Sequence, residues 1–209
     1  EKSLFIDVGA NFGLYSLYAA FKAQCRVLAF EPHFASYYIL SRNIILNNLS
    51  DKISLYPLAV ANSPTSKSVF SLHDTTAGKA LNTLMPKLDL HSKTRIDKDI
   101  KDLAANVYTT LRKPFYQPVV TTSLDAFLAQ NNDSYNFKMY KNVALKIDID
   151  GLDFLVLAGV MQSLAGINDI IVEYLPNQIE MHSLIPGLTK QYGFKIVQQT
   201  DINLIMSRD

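Results

Sequence analysis

Two apolar runs near the C-terminus, Phe194–Gln198 and Ile202–Met206, are separated by Gln199-Thr200-Asp201 alone. A parallel connection needs a crossover of roughly a dozen residues or more, so these two strands must pair antiparallel as a hairpin. Everything upstream follows the opposite habit. Leu4–Val8 is a short β-branched run, Leu14–Phe21 reads as a helix, and Arg26–Phe30 is a second strand stopped by Glu31-Pro32. Proline lacks a ladder donor and disfavours helix at the residue before it. Ser36–Asn48 places Ile39, Leu40 and Ile44 on one helical face. Ile53–Val60 is a third strand, and Pro57 within it points to an edge position. Val143–Ile149 is a fourth, followed by a helix over Asp153–Met161, and Asp169–Tyr174 is a fifth. Strands alternating with helices predict an α/β fold: a Rossmann-like, doubly wound sheet, mostly parallel. The hairpin adds a reversed C-terminal strand.

The chain has 209 residues, enough for one domain with a substantial core. Its formal charge of +1 gives no electrostatic case for nucleic acid or acidic membranes as general partners. The single cysteine, Cys25, can form neither an internal disulfide nor a cysteine metal site, so a reducing, cytoplasmic compartment is expected. No apolar run approaches the ~20 residues of a membrane-spanning helix, and no signal-peptide pattern is present. The missing initiating Met, with a strand beginning at Leu4, suggests further sequence upstream.

In a doubly wound sheet, ligands bind beyond the carboxyl ends of the strands. The segment "DVGANFG" lies at the end of the first strand. Gly9 and Gly13 allow a tight turn and close approach of backbone to ligand. The dinucleotide fingerprint is G-x-G-x-x-G, whereas here Asn11 replaces the middle glycine. Asp7 adds a carboxylate where a diphosphate would be repelled. A cofactor with a cationic end fits better, and S-adenosylmethionine carries an ammonium, a sulfonium and no phosphate. Glu31, ahead of Pro32 at the end of the second strand, can accept hydrogen bonds from both ribose hydroxyls. The alternative is that Asp7 and Glu31 cap helices and the glycines merely shape a turn.

The segments "FIDVGANFGLYSLYAA", "VLAFEPH", "TTSLDAFL" and "LKIDIDGLDFLVLAGV" occur in the order and spacing of the FkbM family of S-adenosylmethionine-dependent methyltransferases. The chain resembles that family from Leu4 to about Tyr174. The resemblance implies a class I methyltransferase fold and O-methylation of a hydroxyl on a sugar or secondary metabolite, a small-molecule or glycan acceptor. It also implies that Asp7, Gly9, Asn11, Gly13 and Glu31 line the cofactor pocket, and Pro32 is grouped with them. Where the family reads "IDVEGAE" this chain reads "IDIDGLD", so Asp150 and Asp153 are each one methylene shorter than the glutamates they replace.

Methyl transfer is an in-line displacement, so alignment of acceptor oxygen, methyl and sulfur supplies much of the rate, and a hydroxyl acceptor gains from a base. Asp148, at the tip of the fourth strand, is the first candidate for that base, with Asp150 and Glu173 behind it. Asp148 has a competing reading as a helix N-cap or a supporting hydrogen-bond partner. The three carboxylates could instead hold a hard divalent cation. His33 is expected near the ribose or adenine. His73, His91 and His182 fall in predicted loops or at helix ends, and none has the i,i+4 spacing of a zinc helix.

A helical insertion is expected at about 85–118. Ile96, Ile100, Leu103 and Val107 share one helical face, and Lys79–Lys113 holds eight Lys/Arg against four Asp. This segment reads either as a wall for an anionic acceptor or as a solvated cover on the sheet edge. Two other classes remain open on sequence: a nicotinamide-dependent oxidoreductase, and a non-catalytic cofactor-binding domain.

Overall fold

A computed structural model describes residues 3–72, 83–85, 115–150, 152–174, 179–200 and 202–208. In chain order the elements are β1 (Leu4–Val8), α1 (Leu14–Phe21), β2 (Arg26–Phe30), α2 (Phe34–Leu46), β3 (Ile53–Tyr56), β4 (Ala59–Val60), β5 (Thr65–Leu72), β6 (Thr83–Met85) and β7 (Phe115–Thr122). There follow α3 (Leu124–Gln130), α4 (Asn132–Tyr135), β8 (Val143–Ile147), α5 (Asp153–Ala158), β9 (Asp169–Glu173), α6 (Ile179–Tyr192), β10 (Lys195–Gln199) and β11 (Asn203–Ser207).

Seven strands form the main sheet in the order β10-β11-β9-β8-β1-β2-β3. The pairs β1–β2, β2–β3, β1–β8 and β8–β9 are parallel. Strand β11 runs antiparallel to both β9 and β10. The reversed strand therefore follows from the short connection after β10, as the sequence requires.

Strand β1 is buried along its whole length, which explains its unbroken apolar run. Successive side chains point to opposite faces. Leu4, Ile6 and Val8 join Leu28, Phe30, Leu145, Val156 and Leu157 in the larger core. Phe5 faces the other way, into a core with Val27, Ala29, Ala19, Ala20, Leu40 and Ile44. The small alanines let α1 lie close on β1 and β2.

The expected third strand is divided. Strand β3 ends at Tyr56, Pro57 interrupts the ladder, and Ala59–Val60 pairs with Thr121–Thr122 in a second sheet of order β4-β7-β5-β6. Strand β3 does occupy an edge of the main sheet, as Pro57 implied. The second sheet was not legible in the sequence: Phe115–Pro118, expected to end an insertion, belongs to β7, with Pro118 opposite Val69. The helix expected over Arg95–Val107, with His73 and His91, lies outside the described residues. Helix α5 ends at Ala158 instead of Met161. No element was expected over helix α6, which carries Pro186 and Gly187, residues that ordinarily interrupt a helix. Among the described residues no helix is long and apolar enough to cross a membrane.

Candidate active site

The loop leaving β1 depends on left-handed backbone. Gly9, Asn11 and Gly13 have φ of 74°, 53° and 95°. The N–H groups of Gly9 and Ala10 both donate to the Phe30 carbonyl, at 3.1 and 3.0 Å, folding the loop back across the end of β2. A Cβ on Gly9 would lie 2.1 Å from the Asp148 carbonyl oxygen, so no larger residue fits against the end of β8. The same test on Gly13 meets Leu40 Cδ1 at 2.1 Å. Gly13 thus serves the contact between α1 and α2, and it is not among the described residues lining the cavity. Asn11 tolerates its positive φ better than most side chains.

That cavity opens at the carboxyl edge of the sheet. Gly9, Asn11, Glu31, Pro32 and His33 line one side, and Asp148, Ile149 and Asp150 another. Phe70 and Leu84 of the second sheet contribute as well. The charged residues among those described there, Glu31, Asp148 and Asp150, are all acids.

Glu31 is 6% exposed. Its Oε2 accepts from the Asn11 N–H at 2.7 Å and its Oε1 from the His33 N–H at 2.7 Å. Burial pushes the carboxyl up to about 7, against the two amide bonds and the Lys146 charge, which pull it down, while Asp7 adds to the rise. Each carboxylate oxygen keeps a second acceptor site for a ligand hydroxyl. His33 is buried, with Nδ1 3.1 Å from Ser36 Oγ, and Ser36 Oγ donates to Asn11 Oδ1 at 3.1 Å.

Asp7 takes a different place from the one expected. It is fully buried and not among the described lining residues. Its Oδ2 accepts from Ser16 Oγ at 2.6 Å, and its Oδ1 lies 3.1 Å from Lys146 Nζ. The alternation of β1 is the reason: Asp7 points to the α1 side of the sheet, beneath the loop. Lys146, paired with Asp7 in the β1–β8 register, is 5% exposed. Its Nζ donates to the Gly9 carbonyl at 2.9 Å and sits 3.5 Å from Asp148 Oδ2. Burial pulls the ammonium down, but Asp7 and Asp148 outweigh it and hold its pKa above the ordinary lysine value.

Asp148 is 54% exposed, at the mouth of the cavity. It is not the N-cap of α5: Leu152 occupies that position, without a side-chain cap bond. Asp150 is exposed on the same side with φ of 54°. Glu173, at the end of β9, is not among the described lining residues. Among the described residues no three acids, histidines or cysteines come together as a metal-ligand set, so Asp148, Asp150 and Glu173 do not form one. His182 lies within α6, with its Nδ1 2.7 Å from the Tyr174 hydroxyl.

A family model described as the methyltransferase FkbM domain matches residues 7–196. The chain belongs to the FkbM methyltransferase family. The methyltransferase sdnD of Sordaria araneosa is 52% identical over 44 residues, 21% of this chain and 17% of that protein. Among solved structures, the methyltransferase FkbM from Methylobacillus flagellatus KT superposes with a TM-score of 0.55 at 11% identity. That match covers 99% of this chain and 44% of the other. The METTL16 methyltransferase domain gives a TM-score of 0.50 at 15% identity, covering 100% and 61%. At such identities these likenesses show the Rossmann-like methyltransferase fold alone. The chain spans less than two thirds of the length of each of these relatives.

Sequence reasoning missed Lys146, Ser16 and Ser36. A signal for Lys146 existed: a lysine inside the apolar run "VALKIDI" must be paired if the strand is buried.

Proposed function

We propose that this FkbM family member transfers a methyl group from S-adenosylmethionine to a hydroxyl of a small-molecule or glycan acceptor, a sugar or secondary metabolite. The observation that carries this reading is the cavity lining. The charged residues among those described in it are acids, and Gly9 sits where a Cβ would strike the backbone at the end of β8. Such a lining favours a cationic ligand with ribose hydroxyls over the diphosphate of a nicotinamide cofactor.

In this reading Gly9 and Asn11 bring backbone against the cofactor and Glu31 accepts from its ribose hydroxyls. Pro32 and His33 wall the same end. S-adenosylmethionine, when bound, supplies a methyl carbon made electrophilic by a positively charged sulfur. Asp148 would take up the proton of the acceptor hydroxyl, the group to be methylated. Asp150, on the same rim, contacts the acceptor. Asp7 acts from beneath the loop, Gly13 through the packing of α1, and Glu173 remains a secondary candidate for the acceptor side.

Calorimetry of the protein with S-adenosylmethionine, S-adenosylhomocysteine and NAD in separate titrations tests the donor. Binding of the first two and not the third is expected; tight binding of NAD alone would overturn the reading. A panel of hydroxylated acceptors with radiolabelled methyl donor tests O-methylation. Label recovered on nitrogen or carbon, with none on oxygen, would overturn that part.

A further inference from the structure

Lys146 is a buried charge that the roles above leave unused. Its neighbours on β8 are apolar, and the β1–β8 register sets it directly opposite Asp7. A buried ammonium is tolerated when its protons find acceptors. Here three oxygens surround Nζ: the Gly9 carbonyl at 2.9 Å, Asp7 Oδ1 at 3.1 Å and Asp148 Oδ2 at 3.5 Å. The ring of Tyr15 on α1 lies 5.3 Å from it. Neutralising Asp7 would need the first carboxylate alone. The other two contacts reach the loop after β1 and the tip of Lys146's own strand.

We propose that Lys146 is a positioning residue that fixes the cofactor loop and the acceptor-side carboxylate relative to one another. The inference rests on the donor site proposed above. Both polar groups of the Gly9 residue are held, its N–H by the Phe30 carbonyl and its C=O by Lys146. Fixing this residue sets the direction in which the chain continues to Asn11, whose N–H meets Glu31 at 2.7 Å. The same ammonium draws Asp148, otherwise half exposed, back toward the loop. One side chain thus spans the two halves of the cavity. Losing it releases the Gly9 carbonyl and lets the Asp148 carboxylate swing into solvent.

The test compares Asp7→Asn, in which the Lys146 ammonium keeps Asp148 and the Gly9 carbonyl as partners, with the double variant Asp7→Asn/Lys146→Met, in which both buried charges are gone. The probe is S-adenosylhomocysteine, read by calorimetry, with thermal melts run alongside. With cooperative melts in both, the double variant is expected to bind about tenfold more weakly than Asp7→Asn, the scale of one charged hydrogen bond lost at the loop. Affinities within threefold of each other would overturn the inference and leave Lys146 as a counter-ion of Asp7. If the double variant does not melt cooperatively, Lys146→Arg takes its place. It keeps charge and donors and is expected to retain the parent affinity; a tenfold loss with an intact melt would overturn the inference. Failure of the parent itself to bind the probe would refute the donor site, a result distinct from either.

Discussion

Binding of S-adenosylhomocysteine should strengthen with pH across neutrality, and Glu31 should be the cause. Its carboxyl is pushed up to about 7 by burial, so it titrates in the range where most carboxyls are fully ionised. The ionised form is the better acceptor for ribose hydroxyls. From a midpoint near 7, the ionised fraction rises from about one tenth at pH 6 to about nine tenths at pH 8. If ligand selects that form, affinity rises about tenfold over the interval. Glu31→Gln cannot ionise, and its amide must turn one NH2 toward the Asn11 or His33 N–H that the carboxylate now satisfies. It should bind more weakly than the parent at pH 8, with the gap about tenfold smaller at pH 6. Calorimetry of both proteins at pH 6, 7 and 8 measures this, and groups on the ligand cancel in the ratio. Titrations of the parent in buffers of different ionisation enthalpy should also report proton release near pH 7. A ratio that stays constant from pH 6 to 8 would refute the reasoning. Stability carries the opposite dependence. A carboxyl whose pKa rises from 4.5 to about 7 on folding holds its proton more tightly in the native state. Its contribution is therefore present below pH 4.5 and lost as pH climbs through 7, by at most about 3 kcal/mol. Urea melts of the parent should show that decline relative to Glu31→Gln.

Asp148→Asn should keep S-adenosylhomocysteine affinity within a few-fold while turnover on an identified acceptor falls by about 10²–10⁴, as for loss of a general base; near-normal turnover would remove it from that role. Adding EDTA to the parent in the same assay should leave the rate unchanged, and a loss restored by one divalent metal would reinstate a cation between the carboxylates. Gly9→Ala puts a Cβ 2.1 Å from the Asp148 carbonyl at a φ of 74°, so chemical denaturation should show a loss of at least about 1–3 kcal/mol. Lys146→Met alone strands the Asp7 carboxylate in the core and should cost about 3–5 kcal/mol, most of it recovered by adding Asp7→Asn.

The topology was legible because it is written in local pattern and in connection length. The runs Leu4–Val8, Arg26–Phe30 and Val143–Ile149 stand out by their apolar and β-branched residues, although β8 ends at Ile147, and the gap after β10 permits one chain direction for β11. The second sheet was not legible, since it joins β4 to β7, segments remote in the chain, and Phe115–Pro118 of β7 was expected to end an insertion. The chemistry of the loop was legible as residue types, because glycines, Asn11 and an acid after β2 have few uses in combination. Their orientations were not. Asp7 faces away from the cavity because β1 alternates, and Gly13 answers to Leu40 of a helix further along the chain. Lys146 reaches a carbonyl 137 residues before it because two parallel strands pair in one register. The raised carboxyl of Glu31 depends on burial against those same elements. Residue type and spacing are properties of the chain, whereas distance and solvent access across strands remote in sequence exist only once the sheet has formed.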